Sequence, residues 1–331
     1  MPELHSSAST RGVNRSTAVA VAFAVMTWSA VVTGGEWLAT EGTGCLIWNE
    51  SPNTEETAAW SGRCVDGKTA GKGTLIWRFK DEGQWREEHF SGVMLDGRPH
   101  GRGIHVEADG SRYDGSWRDG RADGMRTYFG AQGDRYEGEW SDNARHGRGV
   151  MVVPNHGRYE GEWRNDKMHD RGTMWIANGD RYEGDWVDGK EHGQGTYVWA
   201  DGLRYEGTFR RGERTGFGVL VDADGNRYEG GWEKGTRHGY GVQIWRSGNR
   251  YEGEWNQDQR QGRGKAKFGN GSTYEGTFEA GEPHGTGVYR SADGSTYEGP
   301  FWRGKRMGWG ICESPKGDRS ECLMVFGIRL W

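Results

Sequence analysis

The amino-acid sequence predicts an all-β chain: an elongated, single-layer antiparallel sheet of stacked β-hairpin repeats, preceded by a short signal or anchor segment. Three observations predict it. The phrase Arg-Tyr-Glu-Gly-Glu-Trp and its variants return with aromatic leaders Phe90, Tyr113, Tyr136, Tyr159, Tyr182, Tyr205, Tyr228, Tyr251, Tyr274 and Tyr297, each 23 residues after the last. A fixed step of this size marks a stacked repeat array and not a globular enzyme core. Within each copy, small or aromatic residues alternate with carboxylates at period two, the signature of a strand. Finally, 59 of the 331 residues are glycine, about 18% against a usual ~7%. Disordered chains are poor in aromatics, yet this one holds 18 Trp, 13 Tyr and 10 Phe. That composition suits short strands that bury rings against bare glycine backbone.

The elements follow in chain order. Residues 1–40 read as a signal peptide or membrane anchor with its linker. Arg11 and Arg15 precede a mostly apolar run, Ala18 to Val32. A spanning helix needs about 20 residues, so this run has the length of an export-signal core, with an uncleaved anchor as the alternative. Thr43-Gly44 before Cys45 is not a lipoprotein signal.

An earlier copy begins at Trp60, one longer step before Phe90. In the copy led by Tyr136, the residues Tyr136, Gly138 and Trp140 share one face of a strand, and Glu137 and Glu139 the other. Ser141 to Arg145 is polar and turn-like, and His146-Gly147-Arg148-Gly149 opens a second strand. The connection to the next copy carries Asp109-Gly110, Asn178-Gly179, Asp201-Gly202, Asp224-Gly225 or Asp293-Gly294 in other repeats. These read as hairpin turns, because Gly, Asn and Asp tolerate φ > 0. Each repeat is then one hairpin. Ten steps of two strands span roughly 100 Å before twist. In-register glycines imply rings lying flat on backbone, since mid-strand glycine otherwise weakens a sheet.

Tyr-Glu-Gly-Glu-Trp followed by His-Gly-x-Gly resembles the MORN repeat (membrane occupation and recognition nexus), in eleven copies over residues 60–310. The segment from Gly44 to Cys64 is similar to the N-terminal cap of exported bacterial MORN proteins, which places that cap at 41–59 and a C-terminal cap at 311–331. The resemblance implies a scaffold or interaction module, sometimes near membranes, and no single activity. MORN arrays also stand beside lipid-kinase and SET methyltransferase domains, but about twenty residues after 310 are too few for either. Three departures are expected to loosen packing locally: Arg126 and Asp170 replace glycines, and Cys64 takes a Trp position.

The four cysteines fall at the array ends, Cys45 and Cys64 before or within the first copy, Cys312 and Cys322 after the last. An even count behind an export signal reads as disulfides in an oxidising compartment. Terminal repeats fray unless capped, so the expected pairs are Cys45–Cys64 and Cys312–Cys322. The absence of C-x-x-C spacing argues against zinc.

Motifs of chemistry are few. Gly62-Arg63-Cys64-Val65-Asp66-Gly67-Lys68-Thr69 satisfies the phosphate-loop pattern, which requires a following helix. Here Gly71 and Gly73 continue a hairpin, and Lys68 and Thr69 are expected on an exposed turn. Paired glutamates recurring in copy after copy are a solvated strand face; a catalytic dyad needs one distinctive environment. The repeat position held by His100, His146, His169, His192, His238 and His284 steps by roughly 9.6 Å, too far to share a metal whose ligands lie within about 2.1 Å. These rings are expected to pack over the next repeat. No catalytic residue, cofactor or metal site is expected.

The net charge of −5 and pI near 6.1 exclude a nucleic-acid footprint and disfavour attraction to anionic lipid. The reading that follows is a non-enzymatic scaffold for protein–protein or self-association. It is periplasmic or extracellular after signal cleavage, or anchored by an uncleaved N-terminal segment. The alternatives are an extracytoplasmic glycan-binding module, stacking sugars on the aromatic rows, and lipid-surface binding. The rows in question are Tyr136, Trp140, Tyr159, Trp163, Tyr182, Trp186, Tyr228, Trp232, Tyr251 and Trp255, structural or binding according to whether they are open.

Overall fold

The structure, a computed structural model, describes residues 34–53 and 55–330. The run 18–32, read as signal or anchor, lies outside them. Among the described residues there are twenty-eight strands and no helix, paired almost entirely antiparallel. They divide into two units, residues 34–178 with 186–189, and residues 179–185 with 190–330.

One repeat shows why the sequence folds this way. Strand Arg135–Ser141 is joined to Ala144–Val153 by two residues, Asp142 and Asn143. Both have positive φ, 47° and 68°. This primed turn matches the right-handed twist of the strands, and Asp, Asn and Gly tolerate it best. The same two positions are Asp119-Gly120, Asp188-Gly189 and Lys234-Gly235 elsewhere, again with φ > 0.

So the tightest turn follows the tryptophan. The Asp-Gly dipeptides of the longer connection form a different turn from the one their sequence suggests. There only the glycine has positive φ, 91° at Gly110. Asp109 instead accepts the Ser111 backbone N–H through Oδ1 at 2.7 Å. The Glu107 N–H donates to Ser111 O and the Gly110 N–H to Glu107 O. Aspartate here serves by its carboxylate and not by its φ.

The ladder within a repeat is interrupted once. Trp140 faces Arg145 and Gly138 faces Gly149, with a register shift between. The surplus lies on the second strand, and Gly147 takes φ 56° to make the bulge. At the equivalent site Asp170 holds φ 49°, a conformation Asp tolerates better than most residues.

The N-terminal end is thicker than one layer. Strand Glu36–Ala39 pairs with Leu46–Asn49, and Glu56–Trp60 with Lys68–Asp81. Cys45, Ile47, Ala58, Trp60, Leu75, Phe90, Met94 and Trp117 form a buried cluster there. The longer first step reflects a longer hairpin, Lys68–Asp81 with Gln84–Leu95, paired out to Asp81 opposite Gln84. At the C-terminal end Gly308–Glu313 pairs with Thr296–Trp302 and with Arg319–Val325.

Candidate functional site: a closed ring face and an open charged face

The two faces of a repeat do different work. On the first, each leading tyrosine from Tyr136 to Tyr297 lays its ring on the two glycines of its own hairpin. A Cβ on Gly138 would fall 2.7 Å from Tyr136 Oη, and one on Gly149 would fall 2.5 Å from Tyr136 Cε2. The hydroxyl donates to the carbonyl three residues on: Tyr136 to Glu139 O at 3.0 Å, Tyr159 to Glu162 O at 3.0 Å, Tyr228 to Gly231 O at 2.9 Å. Burial pushes the phenols of Tyr136, Tyr159, Tyr205, Tyr228 and Tyr251 well above their ordinary value.

Between the tyrosines stand the tryptophans, edge to face. In one unit the order is Trp140, Tyr136, Trp163, Tyr159, Trp186, with centroids 5.2–5.4 Å apart. In the other, Tyr182, Phe209, Tyr205, Trp232, Tyr228, Trp255, Tyr251, Phe278, Tyr274, Phe301 and Tyr297 continue at 4.8–5.5 Å. This is the geometry that ring quadrupoles favour. Four of these indoles also reach back one repeat: Trp163 Nε1 donates to Gly149 O at 3.3 Å, Trp186 to Gly172 O at 3.2 Å, Trp232 to Gly218 O at 3.2 Å and Trp255 to Gly241 O at 3.3 Å, whereas the buried Nε1 of Trp140 has no such partner. Tyr136, Tyr159 and Tyr182 are 0% exposed and Trp163 is 3% exposed. The structure thus brings the sequence-predicted rings into one filled ladder in each unit. Along these rows nine of the ten rings are buried, and Trp140 is half-buried.

A second column was not anticipated from the sequence. Arg145, Arg214, Arg237, Arg260 and Arg306 lie one residue before the histidine position. Arg145, Arg214 and Arg237 lie over the indole of the following repeat, Trp163, Trp232 and Trp255, at 4.2–4.5 Å. The column also donates to a turn carbonyl 21 residues on, as in Arg214 Nη2 to Gly235 O at 2.7 Å and Arg306 Nη2 to Gly327 O at 3.1 Å. Each arginine is therefore a staple between consecutive hairpins. Burial lowers Arg214 and Arg260 to about 10. The signal was legible as a 23-residue recurrence of Arg.

Arg126, the departure at the second glycine, goes further than local loosening. It occupies the ring slot itself, 4.0 Å from the Trp117 ring and 4.3 Å from that of Tyr113. Tyr113 turns instead toward Tyr128, 4.8 Å away. Arg126 is 5% exposed, and burial lowers it to about 10.

The opposite face is open and charged. Arg135–Glu137, Arg158–Glu160, Arg181–Glu183 and Arg204–Glu206 pair within one strand at 2.5–2.6 Å, largely in water. The second carboxylate of the phrase caps the bulge: Glu139 accepts the Arg148 backbone N–H at 2.9 Å, Glu254 that of Arg263 at 2.9 Å. The first carboxylate is paired in the same way in these copies, whereas the second position is Ser116, Thr208, Gly231, Thr277 or Pro300 in other repeats, and Glu162 instead accepts from the Arg148 side chain at 2.9 Å.

The histidines meet turns and acids. His100 faces Asp119 at 3.6 Å, His238 faces Glu233 at 3.5 Å, and the His284 ring lies 4.7 Å from that of Trp302. Among the described residues no three His, Cys, Asp or Glu side chains gather as a metal site. The phosphate-loop pattern is a hairpin, Arg63–Val65 with Lys68–Asp81, and no helix follows. Its last residues do not lie on an exposed turn as expected. Thr69 is 0% exposed and Lys68 Nζ sits 4.6 Å over the Trp37 ring, because the N-terminal strands cover them.

Cys45 is joined to Cys64 and Cys312 to Cys322, with Cα separations of 5.7 and 5.8 Å. Cys64 stands at a Trp position and Cys322 at a ring-slot glycine position of the 23-residue step. Each disulfide thus fills a place where the terminal hairpin lacks a ring. The two pairs are consistent with an oxidising, extracytoplasmic environment.

Fold and faces together define a β-hairpin repeat array whose aromatic residues form its core. The chain belongs to the MORN repeat family: the MORN repeat profile matches ten consecutive stretches, 90–112, 113–135, 136–158, 159–181, 182–204, 205–227, 228–250, 251–273, 274–296 and 297–319. The copy at Trp60 lies before the first of them. Such repeats are generally associated with protein or membrane interaction and are typically non-enzymatic. No curated protein matches the chain. Among solved structures, it is similar to the SAS-4 (dCPAP) TCP domain in complex with a proline-rich motif of Ana2 (dSTIL) of Drosophila melanogaster, at 15% identity over 53% of this chain and 83% of that one, TM-score 0.25. It is also similar to a streptogramin B lyase, at 14% identity over 73% and 75%, TM-score 0.14. At those scores neither likeness carries an argument.

Proposed function

We propose that this chain is a non-enzymatic scaffold that associates with proteins or with copies of itself, outside the cytoplasm or held at the membrane by its N-terminal segment. The observation that carries this reading is the division of labour between faces. The ring face is closed by its own Tyr–Trp ladder, with Tyr159 and Tyr182 at 0% exposure. Contact with a partner is left to the charged face, whose outward position in His-Gly-x-Gly varies among Arg148, Gln194, Phe217, Tyr240 and Thr286. A repeated frame with a varied exposed position suits recognition of an extended partner.

The experiment compares capture by the native chain with capture by a variant altered only on the open face, Arg148→Ser with Phe217→Ser and Tyr240→Ser. Sedimentation of both reads self-association. We expect the variant to keep its melting temperature and lose its co-purifying proteins or its oligomer. Unchanged capture and oligomeric state would reject the charged face as the contact surface.

A further inference from the structure

We propose that the open face between Gln194 and Glu254 binds a neutral β-1,4-linked glycan, stacked on the rings of Phe217 and Tyr240. The site is separate from the buried aromatic rows, which lie on the opposite face. It goes beyond the scaffold reading, and a purified saccharide tests it apart from protein capture.

The outward position of His-Gly-x-Gly is aromatic in two successive copies only once, at Phe217 and Tyr240. Elsewhere it is mostly polar, as at Arg148, Gln194, Arg263 and Thr286. The two side chains are 59% and 60% exposed. The interior does not need them, because the ring face beneath is filled: Leu220, Tyr228 and Trp232 are buried. Large apolar side chains set together in water mark a contact surface.

The strand between the two rings is bare at the same level. Phe217 stands opposite Gly231, and this is the one copy with glycine where others carry Ser116, Glu139, Asp185, Thr208 or Glu254. A Cβ on Gly231 would fall 2.2 Å from the His238 backbone oxygen, so a carbonyl takes the place of a side chain. Glu139 caps the bulge of its own repeat through the Arg148 N–H at 2.9 Å, and Gly231 brings no such cap to Tyr240. The floor between the rings is therefore backbone, with an oxygen able to accept a hydroxyl proton. Tyr240 is held in place by its own hydroxyl, which donates to Glu252 Oε1 at 2.7 Å. A ring fixed before binding loses less freedom on contact.

Spacing, charge and polar surroundings select the ligand. The rings stand on strands two spacings apart, roughly 9.6 Å, which is about the length of one disaccharide unit in a β-1,4 chain. Alternate sugars of such a chain present the same face. With equatorial substituents that face is a patch of C–H bonds, which packs on an aromatic ring and its negative π face. The arginines alongside are closed by ion pairs: Arg204 with Glu206 and Arg250 with Glu252, both at 2.6 Å, and Arg227 with Glu229. A ligand without net charge matches that balance. The row continues outward with Thr208, opposite Gln194, and with Glu254, opposite Tyr240. Hydroxyl, amide and carboxylate can each hydrogen-bond a sugar hydroxyl. Aromatic surface with a few polar groups around it is the ordinary make-up of a small-ligand site.

The test is calorimetry and saturation-transfer nuclear magnetic resonance of the full chain with three hexasaccharides. Cellohexaose and chitohexaose share the β-1,4 linkage and differ in the acetamido group; maltohexaose is the α-linked control. We expect at least one β-linked probe to bind, with saturation on its sugar-ring protons, and maltohexaose to bind at least about tenfold more weakly. Phe217→Gln and Tyr240→Gln install the residue found at Gln194, and each should weaken binding at least about tenfold while leaving the melting temperature unchanged. Phe217→Tyr keeps the ring and should bind within about threefold of the native chain. Trp309→Gln removes a ring that is 61% exposed at the same repeat position, but whose neighbour in the column is Thr286; it should leave binding unchanged. Preference between the two β-linked probes then names the sugar. Binding of neither, equal binding of maltohexaose, or equal binding by the two glutamine variants would overturn the glycan site and leave the scaffold reading to its own test.

Discussion

Two glycines two residues apart in His-Gly-x-Gly do unlike jobs, and single substitutions should separate them. Gly216 takes φ 61° and a Cβ there would meet Thr208 at an ordinary 3.4–3.5 Å. Gly218 carries the Tyr205 ring, and a Cβ there would lie 2.5 Å from its Cε2. Gly216→Asp should cost only about 1–2 kcal/mol, the strain of a left-handed residue, as Asp170 already shows to be tolerable. Gly218→Asp must expel the ring, and should cost the roughly 3–5 kcal/mol of removing a buried aromatic. Thermal melts of the two variants decide it: equal losses would mean that the second glycine is not a ring seat. Arg126 stands at such a seat with its Nε buried and without a partner. Restoring the seat with Arg126→Gly should let Tyr113 lie down and should not lower the melting temperature.

At the scale of the hairpin, stability should depend on pH with a sign set by the rings. The phenols of Tyr136, Tyr159, Tyr205, Tyr228, Tyr251 and Tyr274 are held above 10.0 by burial. Unfolded chains release those protons first, so this stabilisation is complete below pH about 10 and is lost as pH rises above it. Arg126, Arg214 and Arg260, lowered by burial to about 10, act oppositely: above that value the folded chain sheds protons before the unfolded one, and stability rises with pH. The tyrosines outnumber them, so melting temperature should fall from pH about 10 upward, with tyrosinate absorbance appearing together with unfolding. Tyrosinate that forms near pH 10 in a still folded chain would mean open rings.

Much of this element was legible beforehand. Period two placed Tyr136, Gly138 and Trp140 on one face, and the glycine register implied rings on backbone. The turns were less legible. Asp-Gly signals a primed turn, but whether two residues or four close the hairpin depends on the bulge at Gly147, which pairing creates and composition does not reveal. The arginine column was missed because arginine on a polar array reads as solvated surface. Its burial follows only once the next repeat's indole is in place.

For the molecule as a whole, contacts in a repeat array are nearest-neighbour, and the ends are the exception. Each end is closed by a disulfide where a ring is missing, Cys45–Cys64 and Cys312–Cys322. The chain-entropy view values the first, with a sequence separation of 19, at about 3 kcal/mol. Reduction should raise amide exchange in residues 34–75 and 308–330 first and leave the hairpins from Tyr205 to Tyr274 protected. Uniform loss of protection along the chain would mean that the array melts as one cooperative body.

The central claim is that the aromatic rows are the interior of the protein. Exchange of the indole N–H protons, followed by nuclear magnetic resonance, tests it most directly. Trp163, Trp232 and Trp255 donate to Gly149, Gly218 and Gly241 at 3.2–3.3 Å, so their protons should exchange orders of magnitude more slowly than those of the exposed Trp85 and Trp309. Exchange of all five at the rate of a free indole would contradict the account and return the rows to the status of an open binding surface.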